Sequence, residues 1–224
     1  TTLSGMLSSD ISFAGSKDAI DKKQYEKIDV RGKLGIRDLN YVSRDYPDGV
    51  RISSADIQFT PQQVNLQSFA ARYQETNFTA TGILYNLIGY AMENQLLEGN
   101  LQVKAGKINL NELMGTEAVT DTTLVSSDAF PVPANINLTL QASADEVKYD
   151  KVSYKNVAGT LIVKDETIRL QDMKTEALSG EILFNGAYST ADHAAQPSID
   201  MHYAVKNIDV QQAFYAFNTI QKLM

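Results

Sequence analysis

Apolar and polar residues alternate along most of the chain, and that alternation is the strongest structural signal it carries. Ile28, Val30 and Leu34 are interleaved with Asp29, Arg31 and Lys33, and Leu101, Val103 and Ala105 with Gln102 and Lys104. The same period recurs in Ile136, Leu138 and Leu140 around Asn137 and Thr139, and in Ile199, Met201 and Tyr203 around Asp200 and His202. Successive side chains of a strand point to opposite faces, so a period of two predicts strands with one apolar and one wet face. Turn chemistry separates the runs. At 46–49, Pro47 takes the second position and Gly49 the fourth, as a type I turn prefers, and the segments 60–63 and 164–167 also sit between short apolar runs. These are hairpin signals, and they predict antiparallel neighbours.

A second regularity is self-similarity. Residues 55–84 align without gaps on 159–188 at an offset of 104, which pairs Phe59 with Val163, Val64 with Ile168, Leu66 with Leu170, Phe69 with Met173 and Gly82 with Gly186. Residues 101–113 match 201–213 at an offset of 100, and 28–34 match 136–142 at 108. The drifting offset places small insertions in loops, and matched apolar positions in three blocks point to an internal duplication. The expected organisation is a first β unit over 1–114, a mobile polar loop over 115–131 and a second β unit with a C-terminal helix over 132–224. The two units are expected to form one continuous structure.

Helical signal is sparse. A short connecting helix is expected within 85–97. An amphipathic helix is expected over 209–223, with Val210, Ala213, Phe214, Phe217 and Ile220 at helical spacing and Asp209 with Gln212 as a variant capping box. The fold class is therefore mainly β: repeated antiparallel meanders forming a curved sheet, groove-like or sandwich-like, with one or two short helices including the C-terminal one.

Composition narrows the chemistry. A formal net charge of −7 with no basic stripe disfavours nucleic acid as a partner. The chain has no cysteine and two histidines, His193 and His202, so disulfides, thiolate metal sites and histidine triads have no foundation. Asp38, Asp145, Glu146, Asp165 and Glu166 are expected at turns or strand ends, where solvated acids are ordinary. Gly82, Gly99, Gly159 and Gly186 are expected at corresponding strand ends as turn or bulge residues. The sequons starting at Asn77 and Asn137 fall inside expected strands, and the eleven tyrosines are scattered as half-buried sheet residues would be. No catalytic motif, metal site or cofactor is expected. No stretch reaches the roughly 18 to 20 apolar residues that cross a bilayer. Thr1 is preceded by no initiating Met, which leads us to expect a longer protein with a targeting segment upstream.

Several runs carry a family likeness: 82–91, 97–114, 145–149, 156–160 and the closing 208–223. They resemble the AsmA-like envelope proteins of Bacteroides-type bacteria. The likeness covers essentially the whole chain, through strand patterns and not catalytic signatures. It implies a non-enzymatic periplasmic module of a protein held to the inner membrane by an N-terminal segment this chain lacks, with a role in outer-membrane biogenesis and lipid transport. Possible partners are phospholipid and other envelope proteins.

Relatives are similar to bridge-like lipid-transfer proteins, in which a curved sheet shelters acyl chains. On that expectation the apolar face carries Ile28, Val30 and Leu34 in the first run, Val64 and Leu66 in the next, and Leu101 and Val103 further on. Ile136, Leu138 and Leu140 follow, then Ile168 and Leu170, and finally Met201 and Tyr203. The alternative is a structural or protein-binding β module of the envelope, whose same face closes into a packed core without a groove.

Overall fold

Strands dominate the fold, as a period of two requires. The computed structural model describes residues 2–22, 24, 27–43, 48–60, 63–113, 132–191 and 197–216. Elements run β1 (Thr2–Ala14), α1 (Lys17–Asp21), β2 (Asp29–Val42), β3 (Val50–Phe59), β4 (Val64–Tyr73), β5 (Thr76–Tyr85), α2 (Leu87–Glu93) and β6 (Leu97–Asn109). They continue with α3 (Leu110–Leu113), β7 (Ile136–Tyr149), β8 (Val152–Lys164), β9 (Thr167–Ala177), β10 (Gly180–Ser189), β11 (Ser198–Lys206) and α4 (Val210–Ala216). The eleven strands form one curved, open sheet in sequence order. Every neighbouring pair is antiparallel except β6 with β7, which is parallel. The edge strands β1 and β11 pair only with β2 and β10, so the sheet does not close into a barrel.

The topology explains the one parallel junction. The matched sequence blocks place β2 opposite β7, β3 to β5 opposite β8 to β10, β6 opposite β11, and α3 opposite α4. Each unit is a five-stranded meander, and with an odd number of strands its first and last strands point the same way. Two such units laid edge to edge in the same orientation must meet in parallel, and a parallel pair needs a long crossover. The chain between α3 and β7 supplies it. The expected polar loop 115–131 lies outside the described residues, as do the turn residues Pro47, Pro61 and Gln62, together with His193, Phe217 and Ile220.

The duplication extends to irregularities. The β4/β5 ladder slips between Leu66 and Phe69, and the β9/β10 ladder slips between Leu170 and Met173, the equivalent positions at offset 104. Each bulge inserts an extra residue, so Val64 and Leu66 before it and Phe69 and Ala71 after it stay on one face although their numbers change parity. Asp172, with φ of 51°, sits in the second of these. Asp38, expected at a turn, lies inside β2 with φ of 49° where the β1/β2 and β2/β3 ladders both skip a residue. Asp145 and Glu146 likewise lie inside β7. Asp165 and Glu166 do form the β8–β9 turn, both with positive φ, as a two-residue hairpin with type I′ geometry demands.

The glycines also depart from expectation. Gly82, Gly99, Gly159 and Gly186 lie within strands, not at their ends. Gly82 faces Leu101, Gly186 faces Met201, and the larger side chain lies over the glycine in each pair. Leu101 and Met201 are themselves equivalent at offset 100. A close approach has been duplicated along with the strands.

Helix α4 begins at Asp209, whose carboxylate accepts the Gln212 backbone N–H at 2.9 Å. The other half of a capping box is absent: the Gln212 amide reaches Ser179 at 3.0 Å, and the Asp209 N–H donates to the Leu178 carbonyl at 2.9 Å. These bonds tie α4 to the β9–β10 turn, where Leu178 and Ser179 both hold positive φ. Ala216 then packs with Val152, Ala177 and Ile182. Val210, expected on the packed side, is 82% exposed. Leu178 and Ile208 fill the place beside this cluster instead.

Candidate functional site: an uncovered apolar sheet face

Residues directly opposed in a ladder project to the same side, so register reads out the composition of each face. One row crosses the sheet without a break. Leu34 opposes Ile57, Ile57 opposes Leu66, Leu66 opposes Gly82, and Gly82 opposes Leu101. The row continues through Leu140, Leu161, Leu170, Gly186 and Met201. A parallel row runs from Phe59 and Val64 through Leu84, Gly99, Leu138, Val163 and Ile168. With strands about 4.8 Å apart, the ten from β2 to β11 make an apolar strip on the order of 45 Å long.

Each residue expected on this face can now be placed. Leu34, Leu66, Leu101, Leu138, Leu140, Ile168, Leu170 and Met201 stand on the two rows, Val64 on the second, and Ile136 and Val103 beside them against Leu97 and Ala142. Val30 opposes Phe13 near the β1 end, and Ile28 precedes β2 against Gly15. Tyr203 opposes Phe184 but is 59% exposed, because β11 is an edge strand with no neighbour on its outer side.

Among the described residues no second layer covers the strip, as burial shows. Val30 and Val64 are buried, whereas Leu34, Leu66, Leu101, Leu138 and Leu140 are only half-buried. The most deeply buried positions are Thr175 at 1% and Ala55 and Val152 at 2% exposed. A sandwich would hide the large leucines completely and leave alanines no privilege. Here alanines are buried by the sheet itself, while Leu34, Leu66, Leu101, Leu138 and Leu140 remain reachable.

Charge is kept on the opposite face. Arg37 bonds Asp56 at 2.6 Å, and with the Ser68 hydroxyl, the stronger influence, it holds the Asp56 carboxyl below its ordinary pKa. Lys174 lowers the Glu181 carboxyl in the same way, and the Ser153 hydroxyl lowers Glu146. These are solvent-facing pairs of small energetic value that make the outer face hydrophilic. His202 stands exposed beside Asp200 on that outer side of β11. Among the described residues no group of three His, Cys, Asp or Glu side chains could hold a metal, and no helix is long and apolar enough to cross a membrane.

At one end the strip deepens into a cavity of about 660 Å³, bounded by β7 to β11, α3 and α4. Its walls include Val147, Val157, Ile182, Phe184, Met201 and Ala213. Polar atoms are few. Thr175 donates its hydroxyl to the Lys155 carbonyl at 2.8 Å, and Tyr154 is half-buried, which raises its phenol pKa, with a smaller push from Tyr203 and Tyr149. The Asn111 amide fixes the floor by clamping both backbone groups of Asp150, at 3.1 and 2.9 Å. Thr175→Val keeps the shape but orphans the Lys155 carbonyl. It is expected to cost about 2 kcal/mol in denaturant unfolding; an unchanged midpoint would mean that water replaces the bond.

The sequence pattern missed most of this cavity. Its walls lie beyond the bulges, where apolar positions in β7 switch from Ala142 and Ala144 to Val147 and Tyr149. That change of parity within one strand is the signal that could have found it.

No family model, curated protein or solved structure matches the chain.

Proposed function

We propose that this chain is a lipid-sheltering module of the bacterial envelope, of the AsmA-like kind, whose apolar strip holds phospholipid acyl chains while the outer face stays in water. It works without catalysis, as part of a periplasmic protein anchored to the inner membrane and acting in outer-membrane biogenesis. The observation that carries this reading is the unbroken apolar row from Leu34 to Met201, over which no described element forms a layer. Soluble monomers rarely leave so large an apolar surface open without using it. Each methylene laid on it gains up to about 0.8 kcal/mol. Binding along a row that crosses ten strands, β2 to β11, gives a chain many equivalent positions, as a conduit requires.

A photocrosslinking residue in place of Leu138 tests the reading. Expressed in a Gram-negative cell, it is expected to trap phospholipid, while the same residue at Thr139 on the outer face traps little. Equal labelling at both positions, or none at Leu138, would sink the proposal.

A second reading rests on β11. Its position in the second unit is that of β6 in the first, and β6 carries a neighbour, β7, on the edge that β11 leaves free. Ile199, Tyr203 and Val205 are 68%, 59% and 61% exposed there. A protein-binding module would use that edge for strand addition. Loss of a captured protein on Val205→Pro, with Leu138 crosslinks intact, would favour it.

A further inference from the structure

We infer that the cavity beneath α4, a half-open end of the strip, is a pocket for a single long acyl chain, whose polar head stays outside. This rests on the lipid reading of the same face and adds what the pocket takes and how much of it. The cavity is the terminus of the strip and not a separate hole: Met201 belongs both to the central row and to the cavity wall, and Phe184 opposes Tyr203 inside it. Ala213 of α4 and Ile208 line the far side, so a chain entering along the row comes up against them.

Volume limits the occupant. A methylene needs about the room of a water molecule in the liquid, roughly 30 Å³, so the space accepts on the order of twenty methylenes. That accommodates one long chain. The size also falls in the usual range for small-molecule pockets, about 300 to 1,000 Å³. Wall chemistry limits the occupant further. Among the described residues no Lys, Arg, Asp, Glu or His lines the cavity, so no described wall residue would neutralise a phosphate or carboxylate. The Thr175 hydroxyl already donates to the Lys155 carbonyl, and Tyr149, Tyr154 and Tyr203 contribute only phenolic hydroxyls. A free fatty acid and one chain of a phospholipid share the chemistry this pocket selects.

The test uses the full chain in two arms, one with photoactivatable palmitic acid and one with vesicles of phosphatidylethanolamine and phosphatidylglycerol carrying the same photoactivatable chain. Labelling is expected on the strand segments that bear Ile182, Phe184 and Val157. Label from the vesicle arm alone identifies a phospholipid chain, and label from the acid arm alone a free one; either supports the pocket. In a series of fatty acids, affinity should tighten by up to about fourfold per added methylene and level off near twenty carbons. Ala213→Trp fills the cavity from the helix side and should weaken binding at least tenfold, while Ala204→Trp, on the other face of β11, should not. Val157→Trp fills it from the sheet side and gives the same answer should Ala213→Trp undock α4. Affinity independent of chain length, or binding unchanged by both filling variants, overturns the inference. Crosslinks at Leu138 without label in the cavity would overturn the pocket alone; loss of both would overturn the lipid reading as well.

Discussion

Replacing Gly82 with alanine is expected to cost about 3 kcal/mol of unfolding free energy. Gly82 holds φ of 148°, a conformation that residues with a side chain rarely adopt. A Cβ there would run into the Asn100 carbonyl oxygen and the Leu101 Cα, which are backbone of β6 and cannot swing away. The clash would pry β5 from β6 beside the central apolar row. Gly106 provides the comparison: a Cβ there would meet only the Asn77 carbonyl oxygen, at 4.0 Å. Gly106→Ala should change stability by less than about 0.5 kcal/mol. Denaturant unfolding of the two variants side by side checks both values, and similar losses would contradict the assigned register.

The second large effect is on lipid. Leu101 and Leu140 oppose each other across the parallel β6/β7 junction, at the middle of the strip. Leu101→Asp with Leu140→Asp places two carboxylates where acyl chains are proposed to lie, and an unpaired charge against hydrocarbon costs several kcal/mol. Lipid recovered with the purified protein, or crosslinked from position 138, is expected to fall at least tenfold, since 1.4 kcal/mol suffices for that. The matching control is one residue along on each strand. Gln102 and Gln141 also oppose each other but on the outer face, and Gln102→Asp with Gln141→Asp makes the same charge change there. That pair should keep its lipid. Because Leu101 and Leu140 are half-buried, the inner pair should still fold. Equal lipid retention by both pairs would show that the inner face is not where lipid lies.

Together the two experiments separate what the strip is made of from what it is for. Gly82 tests the geometry that lets Leu101 lie flat across its neighbour. The paired aspartates test whether the resulting surface meets hydrocarbon.

The alternation of residues determined by itself that the chain is mainly β and which side of each short run is apolar, because side-chain direction in a strand is a local property with a period of two. The repeat was legible for a similar reason: the offset of 104 preserves the spacing of Leu66 to Phe69 in Leu170 to Met173, and spacing is visible without coordinates. The caps of α4 were half legible, since Asp209 does bond Gln212, but the Gln212 side chain answers to Ser179 on a distant hairpin. Only the tertiary structure decided that the sheet stays open, because strands facing a groove and strands facing another sheet share one pattern; the half-burial of Leu138 and Leu140 distinguishes them. It also decided where the face continues past each bulge. A bulge such as that at Asp172 is defined by how many residues the partner strand places opposite it, and that count belongs to the ladder and not to either strand alone.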